Sequence, residues 1–366
     1  MDFSLTDDQR SLRDSIRGFL ATECPSSLVR KSFEDDEVTS GLWSKMAQLG
    51  WAGLLVGEGY GGVDLGWVEA VLLAQEAASA LAPAPILGSL AVSQTISKHG
   101  DDALKARWLP SIADGTAIAS FAIFESRSTS VDDIVMKARP TASGYALEGT
   151  KLFVPDATRA GVFLVAVVVE GELRFAVVGR ESQGVDIEPL PTVDLTRPQG
   201  AVTFTDVEIS TGDLLDANCS FESLRTKVSL LVSAELAGIT RRCLQMCVEY
   251  SKQRVQFGKP IGVYQAVSHK IADMYLAAEH AESLTHYAAW CVDEDQGADL
   301  AVWRARLWSS QAATKTTSDA IQVHGGIGFT WEHDLHLYFK RARSDEYLLD
   351  EPQRLSEAIS RAAHGS

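Results

Sequence analysis

Two short stretches and one isolated acid carry most of the chemistry that residue type and spacing suggest. In Arg254-Val-Gln-Phe257-Gly-Lys-Pro260 a guanidinium follows a long helical pattern. Such a group pairs bidentately with phosphate oxygens. Phe257 could pack on an adenine or a ring edge, and Gln265 could hydrogen-bond ribose or phosphate oxygens. The same spacing also suits an exposed arginine and a core phenylalanine at a helix junction. The second stretch, Gln322-Val-His-Gly-Gly-Ile-Gly328, places three glycines within four residues. Glycines there either end a helix with a left-handed cap or let backbone pass close to a phosphate. A dinucleotide fingerprint needs a strand before its glycines. The segment before Gly325 is helical in pattern, so no βαβ unit is implied, and His324 reads as packed, without a catalytic role. The acid is Glu235, in Leu-Leu-Val-Ser-Ala-Glu-Leu-Ala-Gly238. Apolar surroundings raise a carboxyl pKa toward what a general base needs. A helix-bundle partner or an interface arginine would instead make the same residue structural.

These residues need elements to position them. Thr6 with Gln9 fits a capping box, and Leu12, Ile16 and Phe19 follow at helical spacing. Helical segments are expected at about 66–81, 85–99 and 101–113, after a glycine-rich Gly57-Glu-Gly-Tyr-Gly-Gly62. From about 117 the texture changes to short β-branched and aromatic runs punctuated by Gly, Pro, Asp and Ser, which is the pattern of a compact antiparallel sheet. Helical periodicity returns at about 221–253, 262–294, 297–324 and 331–345, long helices with short breaks, as in an antiparallel bundle. The expected fold class is a multidomain α+β chain: an N-terminal α-helical domain over 1–116, a middle antiparallel β-sheet domain over 117–220, and a C-terminal four-helix-bundle-like α domain over 221–366.

Composition narrows the function. Lys+Arg number 33 against Asp+Glu 49, a net charge of −16. A general nucleic-acid binder needs a basic surface, so that class is excluded, while a local basic pocket for one anion is not. The five cysteines are scattered and complete no metal set, so no metal is expected. Reduced, mostly buried thiols fit a cytoplasmic protein. The N-terminus is acidic with no apolar signal core, and no apolar run long enough to span a membrane occurs. The Arg241-Arg242 pair reads as a solvated helix face or as a contact for the phosphates of a ligand, and Trp303, Trp308 and Trp331 as core or interface packing.

Five stretches give the chain a family resemblance along nearly its whole length. They are FSLTDDQRSLRDSIRGFL from Phe3, GEGYGGVDL from Gly57, LEGTKLFVPDA from Leu147, YSKQRVQFGKPIGVYQAVSHKIADM from Tyr250 and IQVHGGIGFTWEHDLHLYFKRA from Ile321. In this order they resemble the acyl-CoA dehydrogenase family, and the last two together are the most specific. The resemblance implies FAD as cofactor and an acyl-CoA thioester as substrate. The reaction is α,β-dehydrogenation, with a carboxylate taking the α-proton while hydride leaves the β-carbon for the flavin. It also implies an electron-transfer flavoprotein as electron acceptor. In the family, positions matching Arg254, Phe257 and Gln265 contact FAD bound mainly by a neighbouring subunit, so the flavin site spans an interface. Gly325 and Gly326 then serve both as helix stop and as a close passage for pyrophosphate or adenosine, with Gln322 adding a donor on the same side.

The departures from the family pattern lie elsewhere. Where the family's first sheet strand ends in Thr-Glu-Pro, this chain has Phe124-Glu125-Ser126. Where the hairpin has Trp-Ile-Thr or Trp-Ile-Ser, it has Phe153-Val154-Pro155. Both hydroxyl contacts to the flavin are missing, and proline has no backbone donor. Backbone groups of Ile123, Phe124, Phe153 and Val154 could still hold the ring. The base position falls on Leu349, with no Gly-Thr after it, and the family's other base position falls near Val228. Glu235 lies seven residues further, on the same helix face and about 10 Å along. Asp350 is shifted one position from Leu349.

Features serving a neighbour's FAD are therefore kept, and those serving the chain's own FAD and substrate are lost. The expected function is one subunit of an α2β2 acyl-CoA dehydrogenase whose paralogous partner supplies the base. The sequence resembles the base-lacking subunits of bacterial assemblies that act on steroid side-chain CoA thioesters, which points to a bulky or ring-bearing acyl group. A self-sufficient homo-oligomer using Glu235, and an inactive scaffold on the same fold, are the alternatives.

Overall fold

The computed structural model describes residues 5–364. Phe3 and Ser4, which open the first family-like stretch, lie outside the described residues, as do Met1, Asp2 and residues 365–366.

In chain order the elements are α1 (Asp7–Glu23), α2 (Ser26–Lys31), α3 (Asp36–Gln48), α4 (Trp67–Ser79), α5 (Ile86–His99) and α6 (Asp102–Ala113). Seven strands follow: β1 (Ala119–Ala122), β2 (Ala138–Pro140), β3 (Gly144–Pro155), β4 (Val162–Val169), β5 (Glu172–Gly179), β6 (Val185–Leu190) and β7 (Gln199–Ser210). Then come α7 (Phe221–Gln253), the short strands β8 (Val255–Gln256) and β9 (Lys259–Pro260), α8 (Gln265–Asp293), α9 (Ala298–His324), α10 (Leu335–Glu346) and α11 (Pro352–His364). Helices, then strands, then helices is the expected fold class. The last helix, α11, was not among the expected segments. Proline at its first position suits a helix start, where no N–H partner is needed.

The chain forms two compact units. One collects the chain up to Glu34, Trp67–Ala82, and everything from Ser229 onward. In it the Thr6 hydroxyl accepts from Gln9 N–H, and the Gln9 side chain returns a bond to Thr6 N–H, completing the capping box of α1. Arg17 on α1 donates to Glu76 on α4 at 2.8 Å. The backbones of α4 and α7 meet so closely that a Cβ at Gly238 would lie 2.0 Å from the Gln75 carbonyl oxygen. Only glycine fits that crossing. The start of α4 is capped from a distance: Asp293 accepts from Trp67 N–H at 2.8 Å and Val68 N–H at 3.1 Å. That satisfies two N–H groups that a helix N-terminus leaves without partners. Small side chains let the long helices pack closely, with Ala237, Ala281 and Ala312 forming one buried cluster of α7, α8 and α9.

The other unit comprises Asp35–Gly66 and Pro83–Val228. Its strands form two sheets, β1-β4-β5 and β2-β3-β7-β6. All pairings are antiparallel except β1 with β4, which run parallel. Phe163, Val165 and Val178 from the first sheet share one core with Leu147, Val154, Val202 and Phe204 from the second, so the sheets pack face to face. Strand β4 is buried along almost all its length, which explains its uninterrupted apolar sequence. Gly88 lets α5 lie directly on β1, where a Cβ would meet the Ala119 carbonyl oxygen at 2.5 Å.

Candidate cofactor and active site

Within the first unit, Arg254, Phe257 and Gln265 all lie at the end of α7 and the start of α8. Phe257 and Gly258 join β8 to β9 with φ of +53° and +77°, the doubly left-handed turn of a tight hairpin. The backbone of Arg254 is fixed: its N–H donates to the Tyr250 carbonyl and its carbonyl accepts from Ile261 N–H, both at 2.8 Å. Its side chain is exposed. Phe257 is 92% exposed, with the edge-on ring of Tyr264 at 6.3 Å between centroids, so it is no core residue. Gln265 is exposed and opens α8, and its N-cap Tyr264 makes no side-chain cap.

Gly325 ends α9. Its N–H donates to the carbonyls of Gln322 and Ile321, and its φ of +66° with ψ of −142° belongs to a region essentially reserved for glycine. Gly326 has no such conformational need, yet a Cβ at either glycine would meet nothing within 4 Å. Nothing among the described residues requires a glycine at 326. At Gly328, by contrast, a Cβ would lie 2.8 Å from the Ile321 carbonyl oxygen. Gln322 is exposed. His324 is buried, shares a hydrogen bond with the Ala320 carbonyl through Nδ1 at 2.9 Å, and stacks on Tyr250 at 4.2 Å. Burial pushes its pKa down, so the ring is neutral near pH 7. Because Tyr250 stands one turn before Arg254, this stack fastens the end of α7 to the end of α9. The Lys270–Asp319 ion pair, 2.8 Å, ties α8 to α9 at the same end. The two motifs read separately from sequence thus share one end of the helical unit.

The acids are held differently. Glu235 is 5% exposed, and its Oε1 lies 3.5 Å from Nη2 of Arg341, whose Nε is 3.4 Å from Asp345. Its carboxylate is therefore engaged with a buried guanidinium, the partner that would make this residue structural. Asp350 is fully buried and accepts from the Ser229 hydroxyl at 2.8 Å. Arg306, also fully buried, donates to Ser310 at 2.6 Å and to the carbonyls of Asp345 and Leu348. It thereby satisfies carbonyls at the end of α10. Leu349, at the expected base position, is buried with a left-handed φ of +60°. Sequence gave no signal for Arg306 or Ser229, since both sit in ordinary helical patterns.

Within the sheet unit, Lys151 on β3 is fully buried. It donates to the Ile123 carbonyl at 2.7 Å and pairs with Glu125. Burial pushes its pKa down to about 8, with Glu125 opposing. Glu125 also accepts from Val135 and Met136 N–H, so it pins the following loop. The Phe124 carbonyl already accepts from Leu152 N–H at 2.7 Å. Phe153 sits at an irregularity of β3 with φ of +58° and is 39% exposed.

Comparison with known proteins settles the lineage. The pattern "Acyl-CoA dehydrogenase, N-terminal domain" matches residues 6–116, and "Acyl-CoA dehydrogenase, C-terminal domain" matches residues 228–349. Acyl-CoA dehydrogenase IpdE2 of Mycobacterium tuberculosis is 30% identical over 354 residues, 95% of each chain. The chain belongs to the acyl-CoA dehydrogenase family. It resembles a chain of the ChsE4-ChsE5 complex from Mycobacterium tuberculosis, with 26% identity, TM-score 0.91 and full coverage of both chains. Butyryl-CoA dehydrogenase from Megasphaera elsdenii has the same fold at 23% identity and TM-score 0.91, over 99% of this chain and 100% of that one.

As an acyl-CoA dehydrogenase the chain is an FAD-dependent oxidoreductase acting on acyl-CoA. Its helical unit offers groups that could hold the phosphate and adenosine end of FAD. Exposed Arg254, Gln265 and Gln322 are donors, Phe257 is a free aromatic face, and Gly325-Gly326 is a stretch of backbone open to close approach. The sheet unit fits the flavin end less well. Phe124 and Phe153 bring no hydroxyl, and the carbonyls of Ile123 and Phe124 already have donors. Among the described residues no helix is long and apolar enough to cross a membrane.

Proposed function

We propose that this chain is one subunit of a hetero-oligomeric, cytoplasmic acyl-CoA dehydrogenase, and that a paralogous partner in an α2β2 assembly supplies the catalytic base and the better flavin clamp. The observation that carries the reading is Leu349: an apolar, buried residue occupies the family's base position, and the acid beside it, Asp350, is closed off by Ser229. FAD supplies the hydride acceptor for α,β-dehydrogenation of an acyl-CoA thioester. In this reading Arg254 pairs with the pyrophosphate, and Gln265 and Gln322 donate to phosphate or ribose oxygens. Phe257 covers the adenine, while Gly325 and Gly326 keep the backbone clear of side chains where that half of the cofactor passes. A solved complex of two different chains, ChsE4-ChsE5, among the similar structures supports a two-protein assembly. So does the exposed apolar surface of Phe257, Val263, Ile327, Phe329 and Trp331 on the segments that would meet the partner's cofactor. The acyl group is bulky or ring-bearing, and an electron-transfer flavoprotein takes the electrons.

Purification alone and together with a co-expressed paralogue tests the reading. Alone, the chain should retain well under one FAD per chain by absorbance near 450 nm. With the partner, mass measurement should give two copies of each chain and bound flavin. One FAD per chain together with full turnover from the isolated chain would sink it.

A further inference from the structure

The first unit contains a cavity that none of the catalytic features uses. It measures about 480 Å³ and lies among α1, α2, α4, α7 and α10, within the range of small-molecule sites. Arg17, Arg241 and Arg242 are among the residues that line it. Two of them are already paired: Arg17 with Glu76 at 2.8 Å, and Arg241 with Glu279 at 2.7 Å and Glu282 at 2.6 Å. Arg242 is half-buried and forms no ion pair among the described residues. Its polar neighbour is the hydroxyl of Tyr338, a buried phenol whose pKa is pushed up by burial and held back by Arg242. That hydroxyl donates to the Ser79 carbonyl at 2.8 Å, so its oxygen is free to accept from Arg242 but gives no counter-charge. An arginine cannot discharge by losing its proton, so Arg242 is a permanent cation at the wall of this cavity. The chain as a whole carries −16, which makes a lone cation there more telling.

The rest of the wall limits the anion. Leu20, Val29, Leu81 and Leu337 give it an apolar floor. Glu76 and Asp334 also line it, and they would repel a doubly charged phosphate more than a singly charged carboxylate. A guanidinium fork matches a carboxylate with two parallel hydrogen bonds. We infer that this cavity binds a small monocarboxylate with an apolar body, its carboxylate held by Arg242 and its body against Leu20, Leu81 and Leu337.

Isothermal titration with hexanoate tests this, with hexanol and inorganic phosphate as controls. Wild-type protein should bind one hexanoate per chain and neither control comparably. A charge-assisted hydrogen bond contributes about 1.5–3 kcal/mol, so Arg242→Gln should weaken binding about tenfold to a hundredfold, and Arg242→Lys less. Ala21, exposed at the cavity wall, provides an independent block: Ala21→Trp should abolish binding without touching the guanidinium. Thermal melts of each variant confirm folding. Hexanoate binding that survives both Arg242→Gln and Ala21→Trp, equal binding of hexanol, or no saturable binding to the wild type would overturn the assignment.

Discussion

Replacing Lys227 with methionine should make this protein more stable. Lys227 lies in the first turns of α7, 5% exposed, and its Nζ has no hydrogen-bond partner among the described residues. Burial pushes its pKa from 10.5 down to about 8; the nearby Lys98 ammonium acts in the same direction and the Cys219 thiol opposes. At about 1.4 kcal/mol per pH unit, a shift of that size means the charged form costs on the order of 3 kcal/mol at neutral pH. Water reaching the ammonium lowers that figure. Methionine has nearly the same length and no charge, and exchanging a poorly compensated buried ion for an apolar side chain is often stabilising. We expect Lys227→Met to gain about 1–3 kcal/mol in urea unfolding followed by circular dichroism at pH 7. The folded pKa lies below the unfolded one, so between about 8 and 10.5 the unfolded chain binds more protons and wild-type stability rises with pH. The advantage of the variant should therefore shrink markedly by pH 9.5. A variant less stable at pH 7, or an advantage unchanged at pH 9.5, would refute the reasoning and mean that the ammonium is already compensated.

Further predictions rest on other features. Gly325→Ala should cost about 1–3 kcal/mol, because alanine is strained at that φ and ψ. Gly326→Ala should leave stability within about 0.5 kcal/mol yet loosen FAD in the assembled complex, measured as flavin retained after gel filtration. Gly238→Ala would force a Cβ against the Gln75 carbonyl, and soluble yield should collapse or the melting temperature fall by several degrees. Burial raises the thiols of Cys24, Cys219 and Cys247 to about 12. Their protonated forms therefore contribute stability below about pH 9 that is lost as pH rises toward 12, and a thiol reagent at pH 8 should label them only after unfolding. Glu235→Gln should leave turnover of the assembled enzyme intact while lowering stability, since it strips a charge from the Arg341 pair; lost turnover with retained FAD would make Glu235 the base.

Much of the fold was legible because its signals are local. The expected helix at 221–253 coincides with α7, and 297–324 lies within one residue of α9. Thr6 and Gln9 form the capping box that their spacing predicts. The division into two sheets was not legible. The β1–β4 pairing is set by which strands share a core, and their separate runs look alike. At the site, Arg254, Phe257, Gln265, Gln322, Gly325 and Gly326 could be named because spacing and glycine content are sequence properties. That they share one end of the unit depends on the stack of Tyr250 on His324, a contact across 74 positions. Lys227, Arg306 and Lys151 were invisible for the opposite reason. A basic residue in a helix or strand pattern reads as a solvated face, and only tertiary packing buries it.

Asp293, which caps α4 from the far end of α8, has a consequence for how the protein is made. Its unit contains the described residues up to Glu34, the piece Trp67–Ala82, and the described residues from Ser229 onward. A ribosome delivers about 5–20 residues per second. The amide groups of Trp67 and Val68 therefore wait on the order of tens of seconds for the carboxylate that satisfies them. Over most of that interval α4 lacks α7, and over all of it α4 lacks a complete α8. The sheet unit, complete at Val228, can close while the earlier helices still lack their partners. A nascent chain stalled before residue 293 should present those helices to chaperones, whereas one stalled a few dozen residues later should not.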